Sequence, residues 1–140
     1  MSRKVKFKNL PDSFERLMEV VEHLRGPNGC PWDQKQNHVS LKQMLLEECY
    51  ELLEAIDQDD PRKIAEEMGD LFGHLAFHCQ IAKEAGEFDP KQVFKTINDK
   101  LERRHPHVFG SKQVKDSRDV EQQWEKLKQQ ENRAHSPVEG

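Results

Sequence analysis

The chain has 140 residues, of which 34% are hydrophobic and 34% charged, with a net charge near −4; this suits one modest helical domain with much solvated surface. The charge disfavours a nucleic-acid polymer as partner, while leaving room for a nucleotide whose phosphates are neutralised by cations. No apolar run reaches membrane-spanning length, residues 1–10 lack the apolar stretch of a signal peptide, and three widely spaced cysteines do not make a disulfide framework, so the expectation is a cytoplasmic chain with no membrane partner.

Taken in order, residues 1–11 read as a flexible basic arm, 12–133 as a helical domain and 134–140 as a disordered tail. Asp12, with Glu15 three residues on, makes a capping box for a first helix. Phe14, Leu17, Met18, Val21 and Leu24 follow at amphipathic spacing. Gly26-Pro27-Asn28-Gly29 stops that helix. Cys30-Pro31-Trp32-Asp33 reads as a compact loop in which Trp32 either covers helix ends or walls a ligand pocket. Ser40 is placed to N-cap a second helix running to about Asp57, and Pro61 suits the first position of a third, which ends before Gly86. Asp89-Pro90 opens a fourth helix with Val93, Phe94, Ile97 and Leu101 on its core face. His105-Pro106 breaks it, and residues 111–118 form a polar linker. A last helix, over about residues 119–133, has only Val120, Trp124 and Leu127 as apolar residues, so it must dock to be stable.

The second and third helices each carry an acidic cluster, Glu47-Glu48-x-x-Glu51 and Glu66-Glu67-x-x-Asp70. At about 100° per residue, Leu41, Met44, Leu45, Cys49, Leu52, Leu53 and Ile56 sweep out one apolar arc. Glu48 falls inside that arc and Glu51 at its edge. Ile64, Met68, Leu71, Phe72, Leu75, Cys79 and Ala82 make a core stripe on the next helix, with Glu67 and Asp70 along its border. Carboxylates pushed toward a core repel one another and are costly to bury unless paired or bound to a cation. Mg²⁺ removes that cost, because it takes oxygen ligands and shares its shell with phosphate. Ordinary solvated helix charges would leave Glu48 on its apolar face unexplained.

Other polar residues admit two readings each. His74 and His78, one turn apart on the carboxylate side, lack a third ligand for a closed zinc site and read as a polar border. Lys100 and Arg104 are either long stems snorkelling over the core or a clamp for phosphate oxygens. Trp124 and Lys128 either pack or stack a base and meet phosphate.

Four motifs then occur in a telling order. These are Gly29-Cys30-Pro31-Trp32-Asp33, Leu46-Glu47-Glu48-x-x-Glu51, Glu66-Glu67-Met68-Gly69-Asp70-Leu71, and the run from Asp99 through Arg104-His105-Pro106-His107-Val108-Phe109 to Gly110. Together they resemble the MazG nucleoside triphosphate pyrophosphohydrolases over residues 14–131, most closely the amino-terminal domain of tandem members. Fifteen residues separate Glu51 from Glu67.

The resemblance implies an all-α bundle of about four to five helices that assembles as a homodimer, or a higher oligomer. It implies Mg²⁺-dependent cleavage of an NTP or dNTP between the α and β phosphates, giving monophosphate and pyrophosphate, with Mn²⁺ as a substitute ion. Glu48, Glu51, Glu67 and Asp70 become the metal ligands, and Glu47 a supporting residue or an activator of water. Lys100, Arg104, Trp124 and Lys128 become substrate contacts. The alternative is a catalytically weak regulatory or dimerisation domain of a tandem protein.

Overall fold

The computed structural model describes residues 9–135; residues 1–8 and 136–140, most of the expected arm and tail, lie outside them. The chain is all-helical among the described residues, as expected. In order the helices are α1 (Phe14–Arg25), α2 (Pro31–Gln34), α3 (Lys42–Asp57), α4 (Pro61–Glu84), α5 (Pro90–Arg104), α6 (Pro106–Phe109) and α7 (Ser117–His135). They fall into two compact units, Met1–Pro90 and Lys91–Gly140.

Local chemistry sets the helix ends. Ser13 caps α1 by accepting the Arg16 N–H, whereas Asp12, the expected cap, instead takes an ion pair from Arg16 at 3.1 Å. Ser40 does not cap α3 either. It is held in a reciprocal turn with Asn37, whose N–H it receives at 2.8 Å while its own N–H goes to Asn37 Oδ1 at 2.8 Å. The helix therefore starts after Leu41, without a side-chain cap. Asp60 accepts the N–H groups of Arg62 and Lys63 and Pro61 opens α4, as the sequence indicated. Gly86, at φ +70°, ends it in the left-handed region that glycine adopts without strain. The segment Cys30–Asp33 is not a plain loop but contains the single turn of α2.

In the first unit α3 packs along α4, and α1 packs on α4 and on α2. Small buried residues (Ala55, Ala76 and Ala82) allow close helix approach, joined by Val21, Leu41 and Cys79. Burial also raises the pKa of the Cys79 thiol. The expected core stripe of α4 is only partly buried: Cys79 and Ala82 are covered, but Met68, Phe72 and Leu75 are 43–48% exposed. Length is one reason. At roughly 1.5 Å per residue, α4, with 24 residues, is twice as long as α1, with 12. On α3, Met44, Leu53 and Ile56 are likewise exposed rather than core.

Arg25 fastens this unit. Its side chain is 7% exposed. Nη1 donates to the carbonyls of Asp33 and Gln36 at 2.6 and 2.9 Å, and Nε and Nη2 donate to Glu84 at 3.0 Å each. The Arg25 guanidinium holds the Glu84 carboxyl below its ordinary pKa. One guanidinium thus binds the ends of α1 and α4 to the turn that carries Trp32.

In the second unit Arg103 and Arg104 at the end of α5 pair with Glu131 on α7. Gln123 Nε2 lies 2.9 Å from His107 Nδ1, in hydrogen-bond contact. The last helix, expected to dock on the bundle or a partner chain, meets the end of α5 and α6 through these side chains, with Val120, Trp124 and Leu127 half-buried. The face expected to be core on α5 is not: Val93, Phe94, Ile97 and Leu101 are 38–42% exposed.

Replacing Arg25 by Met removes the guanidinium donor from the Asp33 and Gln36 carbonyls, of which Asp33 keeps only backbone N–H donors, and leaves Glu84 without its cation. The expected result in urea denaturation is a loss of about 2–4 kcal/mol of stability.

Candidate functional site

Both acidic clusters sit on the paired helices α3 and α4, and their antiparallel packing brings the clusters together. Glu48, Glu67 and Asp70 each offer a carboxylate oxygen within 4.8 Å of the others. Glu48 and Glu67 are half-buried, and Asp70 is exposed. Glu48 Oε2 is buried and has no hydrogen-bond partner. Such an atom needs a donor or a cation. The Glu67 pKa is raised, first by loss of solvent and then by the negative charges of Asp70, Glu51, Glu66 and Glu48. Both observations fit a hard cation held by oxygen ligands.

The remaining acidic residues of the motif lie around this triad. Glu51 is exposed and lines a smaller depression with Glu54, Ala55, Gln58, Lys63 and Glu67. It is not among the three converging groups, but its charge reaches Glu67. Glu47 is exposed and receives a long 3.4 Å hydrogen bond from Gln43, one turn earlier.

Glu48 and Asp70 open into a cleft of about 320 Å³, whose walls include Trp32, Met44, His74 and Phe77. Gly69 and Gly73 also face it, with open space where a side chain would begin. Trp32 is therefore a cleft wall, the second of its two sequence readings. The turn that carries it is held by Arg25, whose partners lie on that turn and at the end of α4 and carry no local signal. His74 stands in the same wall, with Nδ1 buried and unpartnered. His78 instead pairs with His38 through their Nδ1 atoms at 2.7 Å, with stacked rings. Burial, then His38 and His74, lower the His78 pKa. Neither His74 nor His78 enters a metal-ligand cluster among the described residues.

The expected substrate residues all fall in the second unit. Arg104 lies over the Trp124 ring at 5.3 Å, and His105 meets that ring edge-on at 5.0 Å. Lys100 is half-buried and Lys128 exposed. Glu131, which sequence reading passed over, is the common partner of Arg103 and Arg104.

Comparison with known proteins places this geometry. A sequence model of the MazG nucleotide pyrophosphohydrolase domain matches residues 36–109, more than half of the chain. The nucleoside triphosphate pyrophosphohydrolase/pyrophosphatase MazG of Thermotoga maritima is 50% identical over 118 residues, covering 84% of this chain and 45% of that protein. The nucleoside triphosphate pyrophosphohydrolase of Escherichia coli is 41% identical over 121 residues, covering 86% of this chain and 46% of that protein. The uncharacterized Bacillus subtilis protein YabN is 48% identical over 124 residues, 89% of this chain and 25% of that protein. The chain thus spans half or less of the length of these relatives. With the matched segment containing the carboxylate triad and the helices that form it, the chain belongs to the MazG nucleotide pyrophosphohydrolase domain family.

Proposed function

We propose that this chain is a Mg²⁺-dependent nucleoside triphosphate pyrophosphohydrolase that clears unwanted or surplus NTPs and dNTPs. It would cleave between the α and β phosphates to release monophosphate and pyrophosphate. The observation that carries this reading is the convergence of Glu48, Glu67 and Asp70 with Glu48 Oε2 buried and unsatisfied. Relatives named as nucleoside triphosphate pyrophosphohydrolases support the same chemistry.

In this reading Glu48, Glu51, Glu67 and Asp70 hold the metal, and Mn²⁺ substitutes for Mg²⁺. Glu51 completes the set by a side-chain rotation at its exposed position. Bound Mg²⁺ supplies charge neutralisation at the phosphate oxygens and acidifies a bound water. Glu47, a turn before Glu51, accepts a proton from the attacking water or orients it. Hydrolysis of this kind needs positioning and charge stabilisation rather than a nucleophilic side chain. Lys100, Arg104 and Lys128 hold the polyphosphate and Trp124 contacts the nucleoside. The apolar wall of Trp32, Met44 and Phe77 gives the cleft a surface suited to a base or sugar.

A second copy of the chain is the proposed partner. Leu46, Tyr50 and Leu53 of α3, with Met68, Phe72 and Leu75 of α4, are 43–62% exposed, and large exposed apolar residues on adjacent helices mark an interaction surface. Three free thiols fit a reducing cytoplasm.

Pyrophosphate release from a panel of NTPs and dNTPs tests the activity. The expected outcome is turnover that requires Mg²⁺ or Mn²⁺ and falls by at least about 100-fold in Glu48→Ala and Asp70→Ala, with helical circular dichroism retained. No wild-type turnover with either ion would overturn the reading and favour the regulatory-domain alternative. For the assembly, light scattering coupled to size exclusion is expected to give a dimer for the wild type and a monomer for Phe72→Glu; a wild-type monomer at tens of micromolar would refute it.

A further inference from the structure

Two guanidinium groups in the second unit close on a single carboxylate. Arg103 donates from Nε to Glu131 Oε2 and from Nη2 to Oε1, both at 3.1 Å. Arg104 donates from Nη2 to Oε1 at 2.9 Å, and its Nε lies 3.3 and 3.4 Å from the two oxygens. The Arg104 and Glu131 side chains are only 13% and 15% exposed. The Arg104 guanidinium also rests against Trp124.

Arg104 and Trp124, both assigned to substrate in the proposed function, are therefore already engaged. Carboxylate and phosphate oxygens offer arginine the same fork of acceptors. Glu131 thus fills the acceptor position that a phosphate would take on Arg103 and Arg104. Two cations on one carboxylate leave net positive charge, offset in part by the field of Asp99 on Arg103, so the pair remains attractive to a more highly charged ligand.

We propose that Glu131 is an internal anion that holds Arg103 and Arg104 in phosphate-accepting geometry and is displaced from them by the polyphosphate of the substrate. It is a positioning residue that sets affinity. The substrate's identity rests on the pyrophosphohydrolase reading; the anion site itself does not. The two arginines keep the Glu131 carboxyl at a pKa of about 2, against an ordinary 4.5, so it competes as a full charge throughout the working pH range. A polyphosphate has oxygens enough to serve both guanidinium groups without sharing one carboxylate. The latched state lowers apparent affinity by the fraction of molecules in which the arginines are free.

Calorimetric titration of the full chain with inorganic tripolyphosphate in EDTA isolates this site from any metal. Glu131→Gln is expected to bind tripolyphosphate about tenfold more tightly than the wild type. Glu131→Asp, one methylene shorter, is expected to show an intermediate gain, and it decides the matter should Glu131→Gln fail to fold. The gain should vanish in the double variant Glu131→Gln/Arg104→Ala. KM for the nucleotide should fall in step with the tripolyphosphate constant, which a merely structural role for Glu131 would not produce. Equal or weaker binding by the folded Glu131 variants, or a gain that survives loss of Arg104, would overturn the proposal. Tighter tripolyphosphate binding without nucleotide turnover in any variant would uphold the latch and reject the pyrophosphohydrolase reading.

Discussion

Mutual repulsion among Glu48, Glu67 and Asp70 is the constraint on which the first unit turns. Oxygens of these groups lie within 4.8 Å of one another, and the Glu67 pKa is raised first by loss of solvent and then by the shared negative field. Like charges this close cost free energy, more so where solvent is partly excluded. The packing of α3 on α4 holds these groups together despite that cost. A fold optimised for stability alone would not leave Glu48 Oε2 buried without a partner.

The carboxylate triad and Glu131 are compensated in opposite ways. In the second unit Glu131 is satisfied by two arginines and stays ionised down to a pH of about 2. Because its pKa is depressed on folding, its contribution to stability is full above the ordinary carboxylate range and is lost as pH falls from about 4.5 toward 2. In the first unit Glu84 has Arg25, but Glu48, Glu67 and Asp70 enter no ion pair among the described residues. The field around Glu48, Glu67 and Asp70 is negative, whereas Arg103 and Arg104 already hold an anion.

Much of this was legible in the sequence because it depends on local spacing. The three- and four-residue steps within Glu47-Glu48-x-x-Glu51 and Glu67-x-x-Asp70 place carboxylates on helix faces, and Pro61 and Gly86 mark where α4 begins and ends. The position of Glu48 inside an apolar arc correctly marked it as half-buried. What escaped were features made by distant partners. The turn that carries Trp32 is held by Arg25, which reaches Glu84, 59 residues away, and the capture of Arg104 depends on Glu131, 27 residues away. Periodicity also marks a face as apolar without saying what covers it. That is why Met68, Phe72 and Leu75 read as core and yet stand exposed in the single chain.

The most direct test of the carboxylate triad as a cation site is thermal unfolding of the wild type and Glu48→Gln, each with EDTA and with saturating Mg²⁺. In EDTA, removing one buried, unpaired charge is expected to raise the Tm of Glu48→Gln above the wild type by about 2–5 °C. With Mg²⁺ the wild type should gain stability through ion binding, and the variant should lose most of that gain. A wild-type Tm indifferent to Mg²⁺, together with a variant less stable than wild type in EDTA, would mean that Glu48 serves the fold rather than a metal.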